Sequence, residues 1–126
     1  MTENEISYKI LEAAFKVHTA LGPGLLESSY QAVLVHELKK MGLHVDKEKP
    51  LPLIYEEVQL EIGYRIDILV ENKVIIEVKS VEALNDVHLA QVLTYLKLSD
   101  CKLGLLLNFN VKSMKQGIRR VANKLT

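Results

Sequence analysis

The stretch Gly63–Ser80, GYRIDILVENKVIIEVKS, decides the fold. Its first run alternates, with Tyr64, Ile66, Ile68 and Val70 on one face and Arg65, Asp67 and Leu69 on the other. The second run puts Val74, Ile76 and Val78 on one face and Ile75, Glu77 and Lys79 on the other. Only Glu71, Asn72 and Lys73 separate the runs, so they form a hairpin. With a three-residue loop, Val70 pairs with Val74, and Asp67 stands opposite Glu77. A two-residue turn would turn Glu77 in among Ile66 and Ile68, burying a charge beside branched aliphatics. The three-residue register is therefore expected. It sets two carboxylates face to face, with Lys79 two residues further along the same face.

Opposed carboxylates repel unless a positive group lies near them. Lys79 can serve as a structural salt-bridge partner. A divalent cation suits the pair as well, because Mg²⁺ takes oxygen ligands and is commonly held by one or two carboxylates and several waters. Such an ion supplies an activated water and screens charge on a phosphate under attack. Lys79 could then position that water or stabilise the transition state.

Working outward, Ile6, Ile10, Ala13, Ala14, Val17 and Leu21 define a helix over about residues 4–20, opened by a Thr2/Glu5 capping box. Gly22-Pro23-Gly24 ends it. A second helix over about 25–41 carries the stripe Glu27, Tyr30, Leu34, Leu38 and Met41, and Gly42 suits its C-cap. Glu27 is expected to point inward, towards a cation, a metal or its water. An extended segment near 44–49 and the proline-rich Lys49–Glu57 suit an edge or turn. A third helix over about 82–98 carries Leu84, His88, Gln91, Tyr95 and Leu98 on one stripe, three of them polar groups on a sheet-facing surface. Residues 102–109, KLGLLLNF, read as a buried strand. The remaining segment is ambiguous between strand and helix. The expected class is α/β (α+β), a single domain over 1–126 with helices on both faces of one mixed sheet.

Composition narrows the function. Residues 1–100 hold all sixteen acids against ten bases, whereas residues 101–126 hold six bases and no acid. That basic end is either a solubilising edge or a phosphate-binding stretch. The lone Cys101 excludes an intrachain disulfide framework and a multi-cysteine zinc site. There is no Walker-type loop, nucleophile elbow, dinucleotide fingerprint or membrane-length apolar run. The polar N-terminus is unlike a secretory signal, so a cytoplasmic protein is expected.

The stretch GPGLLESSY, Gly22–Tyr30, contains Gly24-x-x-Glu27-x-x-Tyr30 and resembles the signature of the GxxExxY proteins, a group within the PD-(D/E)XK nuclease superfamily. Residues 50–84, 88–100 and 104–110 are similar to that family's blocks in the same order. The resemblance implies a restriction-endonuclease-like core. It implies Asp67 and Glu77 as metal ligands with the Val78 backbone carbonyl, and Glu27 as an acid acting directly or through water. Lys79 would be the catalytic lysine, and Gln91 and Tyr95 a Q-x-x-x-Y pair. Tyr30, His88 and Tyr95 are candidate supporting residues, and Lys112, Lys115, Arg119 and Arg120 candidate phosphate contacts. The implied activity is Mg²⁺- or Mn²⁺-dependent phosphodiester hydrolysis of nucleic acid, DNA before RNA. The alternative is a non-catalytic nucleic-acid or protein interaction module that retains the fold, with a homodimer through an exposed edge strand as one form of it.

Overall fold

The computed structural model describes residues 1–125. Helix α1 spans Glu3–Leu21 and α2 spans Glu27–Lys40. Strand β1 is Val45–Pro50, followed by the short β2 (Leu53–Tyr55) and β3 (Val58–Leu60). Then come β4 (Arg65–Val70), β5 (Val74–Lys79), α3 (Asp86–Ser99), β6 (Leu103–Asn108), a 3₁₀ turn at Met114–Gly117 and β7 (Ile118–Ala122). The main sheet has the order β1-β4-β5-β6-β7, and β2 and β3 form a separate two-stranded hairpin. Only the β5–β6 pair is parallel, and α3 makes that crossover. The ambiguous C-terminal segment is thus an edge strand, antiparallel to β6.

The hairpin has the three-residue register: Ile68 pairs with Ile76, Leu69 with Ile75 and Val70 with Val74. Glu71 and Asn72 take left-handed φ of 53° and 55°, and the Lys73 N–H donates to the Val70 carbonyl at 3.0 Å. A tight left-handed turn of this kind matches the twist of the flanking strands. The Glu71 carboxylate also accepts from the His44 N–H at 2.6 Å, tying the turn to the entry of β1.

Alternation splits the core into two layers. Ile68, Val70, Val74, Ile76, Val78 and the odd-numbered positions of β6 pack under α1 and α2. Leu69, Ile75 and Leu106 pack under α3, against Val92 and Leu96. Gly104 lets α3 sit close: a Cβ there would lie 2.6 Å from Val92 Cγ1. Asp67, Glu77 and Lys79 share the strand face of Leu69 and Ile75, so the charged end of the hairpin lies on the α3 side.

Three expectations need correction. Helix α2 begins at Glu27 rather than 25, because Leu26 is extended as N-cap and the Leu25 N–H donates to the Tyr30 hydroxyl at 3.1 Å. Helix α3 begins at Asp86 rather than 82, because Asn85 caps it through the N–H groups of Val87 and His88. Tyr64 and Ile66 leave the Ile68 face: Ile66 joins the α3-side cluster, and Tyr64 meets Tyr95. The strand changes face at Asp67, where regular pairing breaks on both sides, as described next.

Candidate active site

The β4–β5 ladder stops at Ile68–Ile76. Beyond it, carboxylates take over. The Asp67 N–H donates to Glu77 Oε2 at 2.9 Å, and the Val78 N–H donates to Asp67 Oδ2, also at 2.9 Å. Each acid therefore satisfies a main-chain N–H that the opened ladder would have orphaned. On the other side, β1 pairs with β4 at Lys47–Ile68 and again at Lys49–Ile66, but not at Glu48–Asp67. Glu48 has a left-handed φ of 51°, a conformation unfavourable for a residue with a side chain. Gln31 on α2 bridges the break: its Nε2 donates to Glu48 Oε1 at 3.0 Å and to the Asp67 carbonyl at 3.2 Å.

The electrostatics follow from burial. Glu77 is 3% exposed. Burial, then the neighbouring Asp67 charge, pushes its carboxyl from 4.5 up to about 8. Burial also raises Asp67, opposed by the Val78 N–H, and Glu48 adds to the rise. The Lys79 ammonium favours both anions. A group that can neutralise two carboxylates is what this pair chemically fits. Among the described residues, every fully buried side-chain oxygen has a partner, whereas the second oxygen of each acid accepts no hydrogen bond and so reaches solvent. Two half-engaged carboxylates suit an oxygen-seeking, water-retaining ion such as Mg²⁺. No three His, Cys, Asp or Glu side chains gather at metal-holding distance among the described residues.

Lys79 is half-buried at the end of β5, and its carbonyl accepts from the Phe109 N–H at 3.0 Å. The chain after it is clamped. Asn108, 2% exposed, accepts from the Val81 N–H at 3.1 Å and donates to the Val81 carbonyl at 3.0 Å. Ser80 donates its hydroxyl to the Leu25 carbonyl at 2.6 Å and its N–H to Glu27 Oε1 at 3.3 Å.

Glu27 departs from the inward placement expected of it: the side chain is exposed. As the first residue of α2 it sits where a helix tolerates negative charge, on the rim beside Ser80. It remains near enough for its charge to raise Asp67. Tyr30 is fully buried; its hydroxyl donates to the Gly22 carbonyl at 2.5 Å and its ring stacks on Phe109 with centroids 4.7 Å apart. It holds the Gly22–Leu25 loop, in which Gly22 and Gly24 take φ of 67° and 102°. His88 belongs to a capping box, its Nδ1 accepting from the Asn85 N–H at 3.2 Å, and lies away from the acid pair's hydrogen bonds. Gln91 donates to the Tyr95 hydroxyl at 3.4 Å, and Tyr95 is raised by burial and then by the charges of Glu77 and Asp67.

Lys112 and Lys115 follow β6 at the end of the sheet where Lys79 lies. Arg120 donates to Asn4 Oδ1 on α1, and Arg119 donates to the carbonyls of Gln116 and Ile118. Sequence reasoning missed Gln31, Glu48, Ser80 and Asn108. Gln31 could have been found, lying four residues after Glu27 on the same helix face.

A mixed sheet flanked by helices, with an acid pair at the open end of its central hairpin, is a restriction-endonuclease-like architecture. The family model of the PD-(D/E)XK nuclease superfamily matches residues 4–121, and the chain belongs to that superfamily. Its members are nucleases that generally use divalent metals. No curated protein and no solved structure matches the chain. Among the described residues no helix is long and apolar enough to cross a membrane.

Proposed function

We propose that this chain is a divalent-metal-dependent nuclease of the GxxExxY type that hydrolyses phosphodiester bonds, DNA before RNA, in the cytoplasm. The observation that carries the reading is the opened end of the β4–β5 hairpin. There Asp67 and Glu77 each cap the other strand's main chain while leaving one oxygen without a hydrogen bond among the described residues. Both carboxylates, with the Val78 carbonyl, would hold Mg²⁺ or Mn²⁺. When bound, the ion would supply an acidified water and screen charge gathering on the phosphate. Lys79, held by clamps on either side of its strand end, would orient the attacking water and stabilise the phosphate's developing charge. Glu27 on the rim would act through water, and Gln91 would orient substrate or the lysine. Lys112, Lys115, Arg119 and Arg120 would meet phosphates, and the register sets Arg119 on the strand row of Glu77 through Leu106.

The test is cleavage of single-stranded, duplex and branched DNA and of RNA, with Mg²⁺ or Mn²⁺, by wild type and Lys79→Ala. Metal-dependent cleavage should fall about 100- to 10,000-fold in the variant at unchanged melting temperature. Absence of any cleavage that Lys79→Ala abolishes would return the chain to the non-catalytic binding module.

A further inference from the structure

Near the acid pair lies a hollow of about 220 Å³, lined by Leu53, Tyr64, Gln91, Thr94, Tyr95 and Leu98, of which the nuclease reading has used only Gln91 and Tyr95. It opens between the small β2–β3 hairpin, the entry to β4 and the outer turns of α3. Its connection to the acid pair is covalent and short. Tyr64 precedes Asp67 by three residues, and Tyr95 packs in the same cluster as Ile75, two residues before Glu77.

We infer that this hollow is a nucleobase subsite, and that the enzyme takes unpaired, single-stranded nucleic acid with one base seated against Tyr64 and Tyr95. The inference rests on the proposed nuclease function. Its chemistry comes from the lining. The two rings are tilted at 60° with centroids 6.3 Å apart, and Tyr64 is 43% exposed, so an aromatic face is open to a planar guest. Base–aromatic stacking is indifferent to sequence, because every base has a π-face. Gln91 spends one amide proton on a long 3.4 Å contact with Tyr95, and its carbonyl oxygen makes no hydrogen bond among the described residues. A donor and an acceptor are therefore free for the edge of a base.

Charge selects which part of the nucleotide enters. No lysine or arginine lines the hollow, so nothing in its wall draws phosphate in. An apolar, aromatic wall next to acids favours the neutral base and leaves the phosphate to the Lys79 side. Paired bases in a duplex hide both their faces and their edges, so they cannot fill such a site without being extruded. The exposed apolar side chains of Tyr55, Val58 and Leu60 lie on the same face of the β2–β3 hairpin as Leu53.

The test measures binding without cleavage. A fluorescein-labelled ten-nucleotide DNA strand, the same sequence as RNA and as blunt DNA duplex are titrated in EDTA, followed by anisotropy. Either single strand should bind at least tenfold more tightly than duplex. Tyr64→Ala should weaken single-strand binding by about tenfold or more, and Tyr64→Phe should restore it. Removing one base to leave an abasic site should abolish the difference between wild type and Tyr64→Ala at the best-bound position. Duplex affinity equal to or above that of the strands, or a folded Tyr64→Ala protein with unchanged single-strand affinity, overturns the subsite. The DNA and RNA arms identify the strand it takes. Tyr64-dependent binding by a protein that cleaves nothing would retain the subsite and remove the nuclease reading. Lys79-dependent cleavage of duplex, insensitive to Tyr64→Ala, would do the reverse.

Discussion

The two faces of the five-stranded sheet are built from the same strands and do opposite things. Under α1 and α2, β4, β5 and β6 contribute only aliphatic side chains, closed over by Tyr30, Leu34 and Leu38 at 0% exposure. Under α3 the same strands begin with Leu69, Ile75 and Leu106 and finish in Asp67, Glu77, Lys79 and Asn108. One face is a foundation and the other becomes a site after two residues of each strand. Alternation makes this cheap: a one-residue step changes the face, so the acids can end the α3-side face while the opposite face of the same hairpin stays aliphatic.

The comparison breaks first if the foundation is not what holds the fold. Ile76→Ala should cost about 2–5 kcal/mol in denaturant unfolding, by equal amounts with and without Mg²⁺. A metal-dependent cost would show that the two faces are not separable.

The site face predicts the opposite sign. Glu77 in the folded protein keeps its proton to about pH 8, whereas an unfolded glutamate releases it near 4.5. Between those values the native state holds more protons than the unfolded state, so metal-free stability falls as pH rises. Glu77→Gln should remove that loss. Thermal melts in EDTA should show a variant near wild type at pH 5 and more stable by on the order of 2–4 kcal/mol at pH 8. The variant should also lose any stabilisation by Mg²⁺. A parallel shift at both pH values would mean that the buried charge carries no penalty.

The smallest effect concerns the α1–α2 loop, which holds Ser80 at the end of the site-bearing strand. Tyr30→Phe keeps the stacking on Phe109 and loses the bonds to Gly22 and Leu25, at a cost of about 1–2 kcal/mol. Ser80 should then lose protection in amide exchange, because Leu25 is its other anchor. Unchanged Ser80 exchange would separate the loop from the site.

How much was legible in the sequence follows from the same division. The hairpin register could be read because one wrong step buries Glu77 among isoleucines, a large penalty. The helices could be read from stripes three and four residues apart. Glu27 was misread because a helical stripe gives direction around the axis and not depth along it. At the first position of α2 an inward-facing residue already lies beyond the edge of the sheet. Tyr64 and Ile66 were misplaced because strict alternation assumes an unbroken ladder, and the ladder breaks at Asp67. Gln31, Ser80 and Asn108 act through contacts 27–55 residues away, which no local pattern encodes. His88 sat on the right stripe for the wrong reason: its position three residues past Asn85 is a cap.

Gly104 extends the contrast to the reach of the active groups. It faces α3 opposite Ile75, two residues before the pair Glu77–Leu106. A side chain there would meet Val92 at 2.6 Å and lift the helix. Gln91 and Tyr95 ride on that helix, so this single absent methyl sets the thickness of the whole layer. It works as a shim of zero height: α3 sits as close to the sheet as it does because nothing is there.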